Sequence, residues 1–177
     1  MEKQTDMELI DKARAGDPVA FAALADHYYP TVYRYAFKWS RVQEDAEDIA
    51  QEVFLKLAGS MHLFNKRSLF TTWLYRVTAN CAKDYARKNR RWKNDTSSDP
   101  LDNETIASPN PGPEQNVIAR NILLIVDGLP DKQKEAVLLV YAEGMNHREA
   151  AAVIGCAETT VSWRIFQAKR TLRKVFS

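Results

Sequence analysis

Residues 94–116 read NDTSSDPLDNETIASPNPGPEQN, and this stretch limits what the chain can build more than any other. Pro100, Pro109, Pro111 and Pro113 lack a backbone donor and fix φ, so no regular helix or central strand crosses them. Most of the residues around them are small, polar or acidic and leave little to bury. The stretch is expected to be a flexible linker, partly extended, without a fold of its own. It splits the 177 residues into 1–93 and 117–177, each of which must build its own core. The second segment is near the lower size limit for independent folding.

Both flanks read as helix. No segment alternates apolar and polar residues between hairpin turns. In the first flank, Leu9 and Ala13, then Phe21, Leu24 and Tyr28, recur at helical spacing. Gly16-Asp17-Pro18 interrupts them, with Asp17 as a cap and Pro18 at a first helical position. Ala46, Ile49, Val53, Phe54 and Leu57 mark the inward face of a helix ending near Gly59, and LFNKRS reads as a loop. A further helix over Leu69–Arg91 buries Phe70, Leu74, Val77, Cys81 and Tyr85. After the linker, Ile118–Asp127 reads as helix, Leu129-Pro130-Asp131 starts another, and Gly144 ends it. Asn146 with Glu149 forms a capping box for a short helix that stops at Gly155. The last helix turns Val161, Ile165, Ala168, Leu172 and Val175 inward. Two helices joined by a tight turn, the second longer, make a helix-turn-helix. The fold class is all-α: two small helical domains, the C-terminal one carrying the helix-turn-helix.

The net charge of +2 is a cancellation between blocks. Glu44, Asp45, Glu47, Asp48 and Glu52 follow one another with no base among them. Lys83, Arg87, Lys88, Arg90, Arg91 and Lys93 meet a single Asp84. From Thr159 onward there are bases and no acid. Two basic blocks suit phosphates, and the acidic one suits a basic partner. Asp45, Asp48, Gln51 and Glu52 recur at i, i+3, i+6 and i+7 beside Ile49 and Val53, a stripe that either faces solvent or docks a basic helix.

Catalytic patterns are absent: there is no Gly-rich phosphate loop, no G-x-S-x-G and no Cys–His arrangement. No enzyme activity and no cofactor is expected. His27, His62 and His147 lack metal-ligand spacing, so no metal is expected. Cys81 and Cys156 read as small buried hydrophobes. No apolar run nears the roughly 18 residues of a membrane span, and the acidic start is no secretory signal, so the chain is read as cytoplasmic without membrane insertion.

Two faces remain. On the last helix, Thr160, Ser162, Trp163, Arg164, Phe166, Gln167, Arg170 and Lys174 form an exposed set, with base-edge groups first and phosphate-holding cations later. Trp163 either stacks on sugar and base methyls or folds back onto its domain. On the helix over Leu69–Arg91, Thr72, Arg76, Asn80, Lys83 and Arg87 form a polar stripe. Phe64, Phe70, Trp73 and Tyr75 beside it either stack on unpaired bases or serve as core.

Taken together, these residues resemble a bacterial RNA polymerase sigma factor of the extracytoplasmic-function (ECF) group of the sigma-70 family. AGDPVAFAALADHYYPTVYRYA resembles the opening of that family's first conserved domain, and DAEDIAQEVFLKL its polymerase-binding helix. The pattern F-x5-F-x2-W-L-x-R-V-x2-N over Phe64–Asn80 resembles its promoter-melting segment. LPDKQKEAVLLVYAEGMNHREAAAVIG and TVSWRIFQAKRTLRK resemble the second conserved domain.

The resemblance implies that 1–93 is sigma region 2 and 117–177 is sigma region 4, with 94–116 threading between them. It implies core RNA polymerase as partner, through clamp helices and flap, with Asp45, Asp48, Gln51, Glu52 and Phe54 at the clamp. Promoter DNA is engaged both single-stranded and as duplex. Asn65, Lys66, Arg67 and Ser68 with Asn80 would capture minus-ten bases, and Arg76, Lys83 and Arg87 would hold the backbone at the melting fork. The last helix would read the minus-thirty-five duplex. An anti-sigma factor is implied as a further partner, and no obligate homo-oligomer. Thr159 and Lys66 stand where the family often has Gly, Trp163 where it often has Ser, and Ser162 and Gln167 where bases are common, so promoter sequence does not carry over. A freestanding dimeric helix-turn-helix regulator, or a mimic that only sequesters an anti-sigma protein, are the rival readings.

Overall fold

A computed structural model describes residues 2–95 and 126–175. The chain divides into two compact units, Met1–Asn103 and Glu104–Ser177. Most of the expected linker, and the expected helix from Ile118 up to Ile125, lie outside the described residues. Asn94 and Asp95, given above to the linker, still belong to a helix.

The first unit comprises α1 (Glu2–Arg14), α2 (Pro18–Ser40), α3 (Gln43–Ser60), a single 3-10 turn at Met61–Leu63, and α4 (Phe70–Asp95). Asp17 caps α2 as its spacing requires: Oδ1 accepts the amides of Val19 at 2.9 Å and Ala20 at 3.2 Å, and Pro18 follows where no donor is needed. At the other end Arg41 takes the left-handed conformation (φ 67°) and its N–H reaches the Phe37 carbonyl at 2.9 Å. Helices α2, α3 and α4 pack through Leu24, Val32 and Tyr35, through Ile49, Val53 and Leu57, and through Leu74, Ala79 and Ala82, all buried. Each of the larger side chains contributes about 1.5–3 kcal/mol by leaving water. Thr78 is buried on α4 and its hydroxyl donates to the Leu74 carbonyl at 2.8 Å, which removes the cost of its position. On α1 the inward residues are Ile10 and Ala13; Leu9 is only half-buried.

In the second unit, helical Val126 and Asp127 precede α5 (Asp131–Val137), which runs on through a π turn at Leu138–Ala142. There Glu143 N–H reaches the Leu138 carbonyl at 3.0 Å, one residue beyond α spacing. Then come α6 (His147–Ile154) and α7 (Glu158–Val175). The capping box forms in full: Asn146 Oδ1 accepts the Glu149 amide and Glu149 Oε2 accepts the Asn146 amide, both at 2.9 Å. Gly155 ends α6 at φ 78°, where a side chain would be strained. Ala150, Val153, Val161, Ile165, Ala168 and Leu139 fill the core between the helices. Leu172 is half-buried, Cys81 is buried, and Cys156 is half-buried in the turn rather than on a helix. Among the described residues there is no strand, no group of side chains suited to a metal, and no helix long and apolar enough to cross a membrane.

Candidate functional site

Three surfaces carry the residues singled out by the sequence. The first is the outer side of α3. Its i, i+3, i+4 spacing sends Ala46, Ile49 and Val53 inward, so Asp48, Gln51 and Glu52 are left exposed. Asp45 is half-buried. The Tyr85 hydroxyl on α4 donates to Asp45 Oδ1 at 2.8 Å, with Asp48 Oδ2 at 3.3 Å. Burial, and after it the Asp45 bond, push the Tyr85 phenol well above its usual range. Glu52 pairs with Lys56 at 3.3 Å. Phe54 is half-buried and stacks on Tyr29 of α2 with ring centroids 6.0 Å apart.

Beside these acids lie residues that sequence reading passed over. Leu55 is 65% exposed and Tyr29 43% exposed. With Glu47, Asp48, Gln51 and Phe54 they line an open groove of about 650 Å³ between α2 and α3. The signal was available: Leu55 falls off the buried stripe of α3, four residues after Gln51. The face is thus acidic and apolar together.

The second surface is α4 with the loop before it. Asn65, Lys66, Arg67 and Ser68 are all exposed, and Asn65 Oδ1 accepts the Arg67 amide at 3.1 Å. Lys66 has φ 59°, and its Nζ lies 2.5 Å from Asp11 Oδ1 of α1. On α4, Arg76, Asn80 and Arg87 are exposed and Lys83 is half-buried. Arg87 also pairs with Asp84. The aromatics do not join them. Phe64 and Phe70 are buried at 4% and 8% exposure, and both pack on half-buried Trp73, at 5.3 and 5.8 Å between centroids. Tyr75 is half-buried against Tyr35. The stacking role allowed above is corrected to a core role for Phe64 and Phe70, because an aromatic surrounded by aromatics offers no free face to a base.

The third surface is α7. Trp163 is 60% and Phe166 61% exposed, so Trp163 does not fold back. Arg170 and Lys174 are exposed; Thr160 and Gln167 are half-buried. Ser162 is exposed, but its Oγ lies 2.8 Å from His147 Nδ1 of α6 and 3.2 Å from the Glu158 carbonyl. Arg164 departs from expectation. Its side chain is 13% exposed and Nη1 lies 3.9 Å from Oε2 of Glu135, itself 3% exposed. A buried carboxylate requires a countercharge, and this turns the guanidinium inward, away from the exposed set.

Comparison with known proteins follows the same division. The model for Sigma-70 region 2 matches residues 24–92, and that for Sigma-70, region 4 matches residues 119–172. The chain is 29% identical over 180 residues to the ECF RNA polymerase sigma-E factor of Escherichia coli (strain K12), across 97% of this chain and 94% of that protein. It is 27% identical over 183 residues to the RNA polymerase sigma-H factor of Pseudomonas aeruginosa, across 98% and 95%. Its fold is similar to that of the sigma factor RpoE from Bartonella quintana, solved in complex with the anti-sigma factor NepR. That match has a TM-score of 0.68 at 23% identity and covers 88% of this chain and 96% of that one.

Proposed function

The chain belongs to the sigma-70 family as a sigma factor of the ECF group, and from that premise we propose how its residues divide the work. A sigma factor is not an enzyme; it binds core RNA polymerase and directs initiation at promoters. Within unit 1, residues 1–93 act as region 2, and within unit 2, residues 117–177 act as region 4, in the cytoplasm where polymerase and promoters are.

Asp45, Asp48, Gln51, Glu52 and Phe54, joined by Leu55 and Tyr29, dock the clamp helices of the polymerase. Asn65–Ser68 and Asn80 take minus-ten bases from the opened strand, at a cost of a few kcal/mol for unstacking that their contacts offset. Arg76, Lys83 and Arg87 hold backbone phosphates at the fork. Ser162, Trp163, Phe166, Gln167, Arg170 and Lys174, with Thr160 at the helix start, engage the minus-thirty-five duplex. Arg164 serves this set from behind, through Glu135. An anti-sigma partner, as in the Bartonella complex, is part of the proposal.

The observation that carries this reading is the opposition of charge on two packed helices. Exposed acids on α3 and exposed bases on α4 give one bundle an acceptor for a basic protein and another for nucleic acid. The test is initiation itself. The chain, core polymerase and promoter DNA together yield a specific transcript and permanganate-reactive thymines upstream of the start; no reactive thymines would overturn the assignment. Charge reversal at Asp48 and Glu52 abolishes polymerase binding with helicity intact, and unchanged binding would remove α3 from the interface.

A further inference from the structure

Helix α1 lies before the matched region 2 residues, which begin at Leu24. It nevertheless reaches the loop assigned to the minus-ten bases. The Lys66 ammonium donates to Asp11 Oδ1 at 2.5 Å, and Arg14 Nη1 lies 3.5 Å from the same oxygen. The Lys66 hydrogen bond holds the Asp11 carboxyl below its usual range. Lys66 itself sits at φ 59°, a left-handed conformation that a side chain disfavours. Asn65 Oδ1 bridges to the Arg67 amide at 3.1 Å, closing an Asx turn across Lys66. Two fasteners therefore shape a loop whose four side chains are exposed: one local, one from α1.

We propose that Asp11 is a positioning residue for minus-ten recognition. It draws the Lys66 ammonium onto α1, so that the loop presents Asn65, Arg67 and Ser68 to the captured base and Lys66 is withheld from passing phosphates. This rests on the reading of residues 65–68 as the base-capturing loop. Without Asp11 the loop keeps its Asx turn but loses its outer anchor, and Lys66 becomes a free cation beside the opened strand. Selectivity then falls while indiscriminate affinity rises. A contribution to folding alone would produce neither change.

The experiment uses holoenzyme assembled from core polymerase and the full chain, with fork-junction DNA whose minus-ten segment is single-stranded and altered one base at a time. Asp11→Asn is expected to lower the preference for the best minus-ten sequence by about fivefold, the upper range for an exposed ion pair. It should also steepen the log–log salt dependence by about 0.7, one added single-strand phosphate contact. Asp11→Glu restores most of both. In a Lys66→Gly background, Asp11→Asn changes neither. Asn65→Ala, which opens the Asx turn, and Arg67→Ala report on the loop itself. If these two alter selectivity while Asp11→Asn does not, the positioning role is overturned and the loop assignment stands. An Asp11→Asn effect that persists with Lys66→Gly also overturns it. If neither loop variant alters selectivity, the loop is not the reader and both statements fall together.

Discussion

Helices α4 and α7 carry the two basic blocks of the sequence and dispose of them differently. On α4 the cations lie off the packed stripe: Leu74, Ala79 and Ala82 face the bundle, while Arg76, Arg87 and Lys88 are exposed. On α7 a guanidinium in the half nearest the turn is drawn into the core by Glu135, and the outer surface beside it is apolar, with Trp163 and Phe166. Similar runs of Lys and Arg thus present different fields to a ligand. What decides is whether a buried acid competes for the base. The first unit fills its interior with aromatic and aliphatic side chains; the second, built on shorter helices, encloses charge. Lys134, 8% exposed and bonded to Asp127 at 2.8 Å, belongs to the same habit.

The largest effect should come from breaking that enclosed charge. Glu135→Ala leaves the Arg164 guanidinium at 13% exposure without its countercharge. Removing one partner of a buried pair costs about 3–5 kcal/mol, and the long separation argues for the lower end. In a unit this small that loss unfolds most of it, which helical circular dichroism in a urea titration would register as a separate early transition. Arg87→Ala on α4 should move the other transition by less than about 0.5 kcal/mol. Equal losses from the two substitutions would erase the contrast between the helices.

Next in size is Trp163→Ala. Loss of an exposed aromatic that meets base methyls should weaken binding to minus-thirty-five duplex by about 1–3 kcal/mol with no change in salt slope. Arg170→Ala should instead lower the slope by about 0.9. Titration of holoenzyme with duplex at several salt concentrations separates the two. A Trp163→Ala effect that grows as salt falls would mean that the front of α7 acts through charge after all.

What the sequence disclosed and what it hid follow a physical line. Asp17, the Asn146–Glu149 box and Gly155 were legible because a cap is made within a few residues. The middles of the buried stripes of α3, α4 and α7 were legible because helical periodicity is local too, whereas Phe54, Val77, Tyr85 and Leu172, expected inward, are only half-buried. The inward turn of Arg164 was not, since its cause, Glu135, sits on another helix. Nor were the contacts of Lys66 with Asp11 or Tyr85 with Asp45, each joining segments distant in sequence. For Phe64 and Phe70 sequence does not separate base stacking from core, because an aromatic's spacing is the same for both and only the neighbouring rings decide. Leu55 was hidden for a simpler reason: a single apolar residue off the buried stripe, among charges, carries no periodic signal.

The smallest effect tests whether unit 1 holds its own surface charges by design rather than leaving them all to water. Tyr85 on α4 gives an α3 carboxylate of the proposed docking face a partner from a different helix. Replacing it with Phe removes a hydrogen bond to a charged acceptor; partial exposure to solvent reduces the usual value to about 1 kcal/mol. Its pH dependence carries the sign. The folded state raises the phenol above the unfolded value of about 10, so its bond is fully present at neutral pH. It is lost as the solution climbs past that value toward the higher folded one. Tyr28, pushed to about 12 mainly by burial, titrates in the same direction. Urea midpoints of unit 1 between neutral pH and 11 should therefore fall less steeply in Tyr85→Phe than in the parent, yet not become flat. Unit 2, which contains neither Tyr85 nor Asp45, should show no such difference between the two proteins. Parallel slopes in unit 1 would mean that the Tyr85–Asp45 bond adds nothing to the joining of α3 and α4, and that Asp45 meets the polymerase without first giving up a partner.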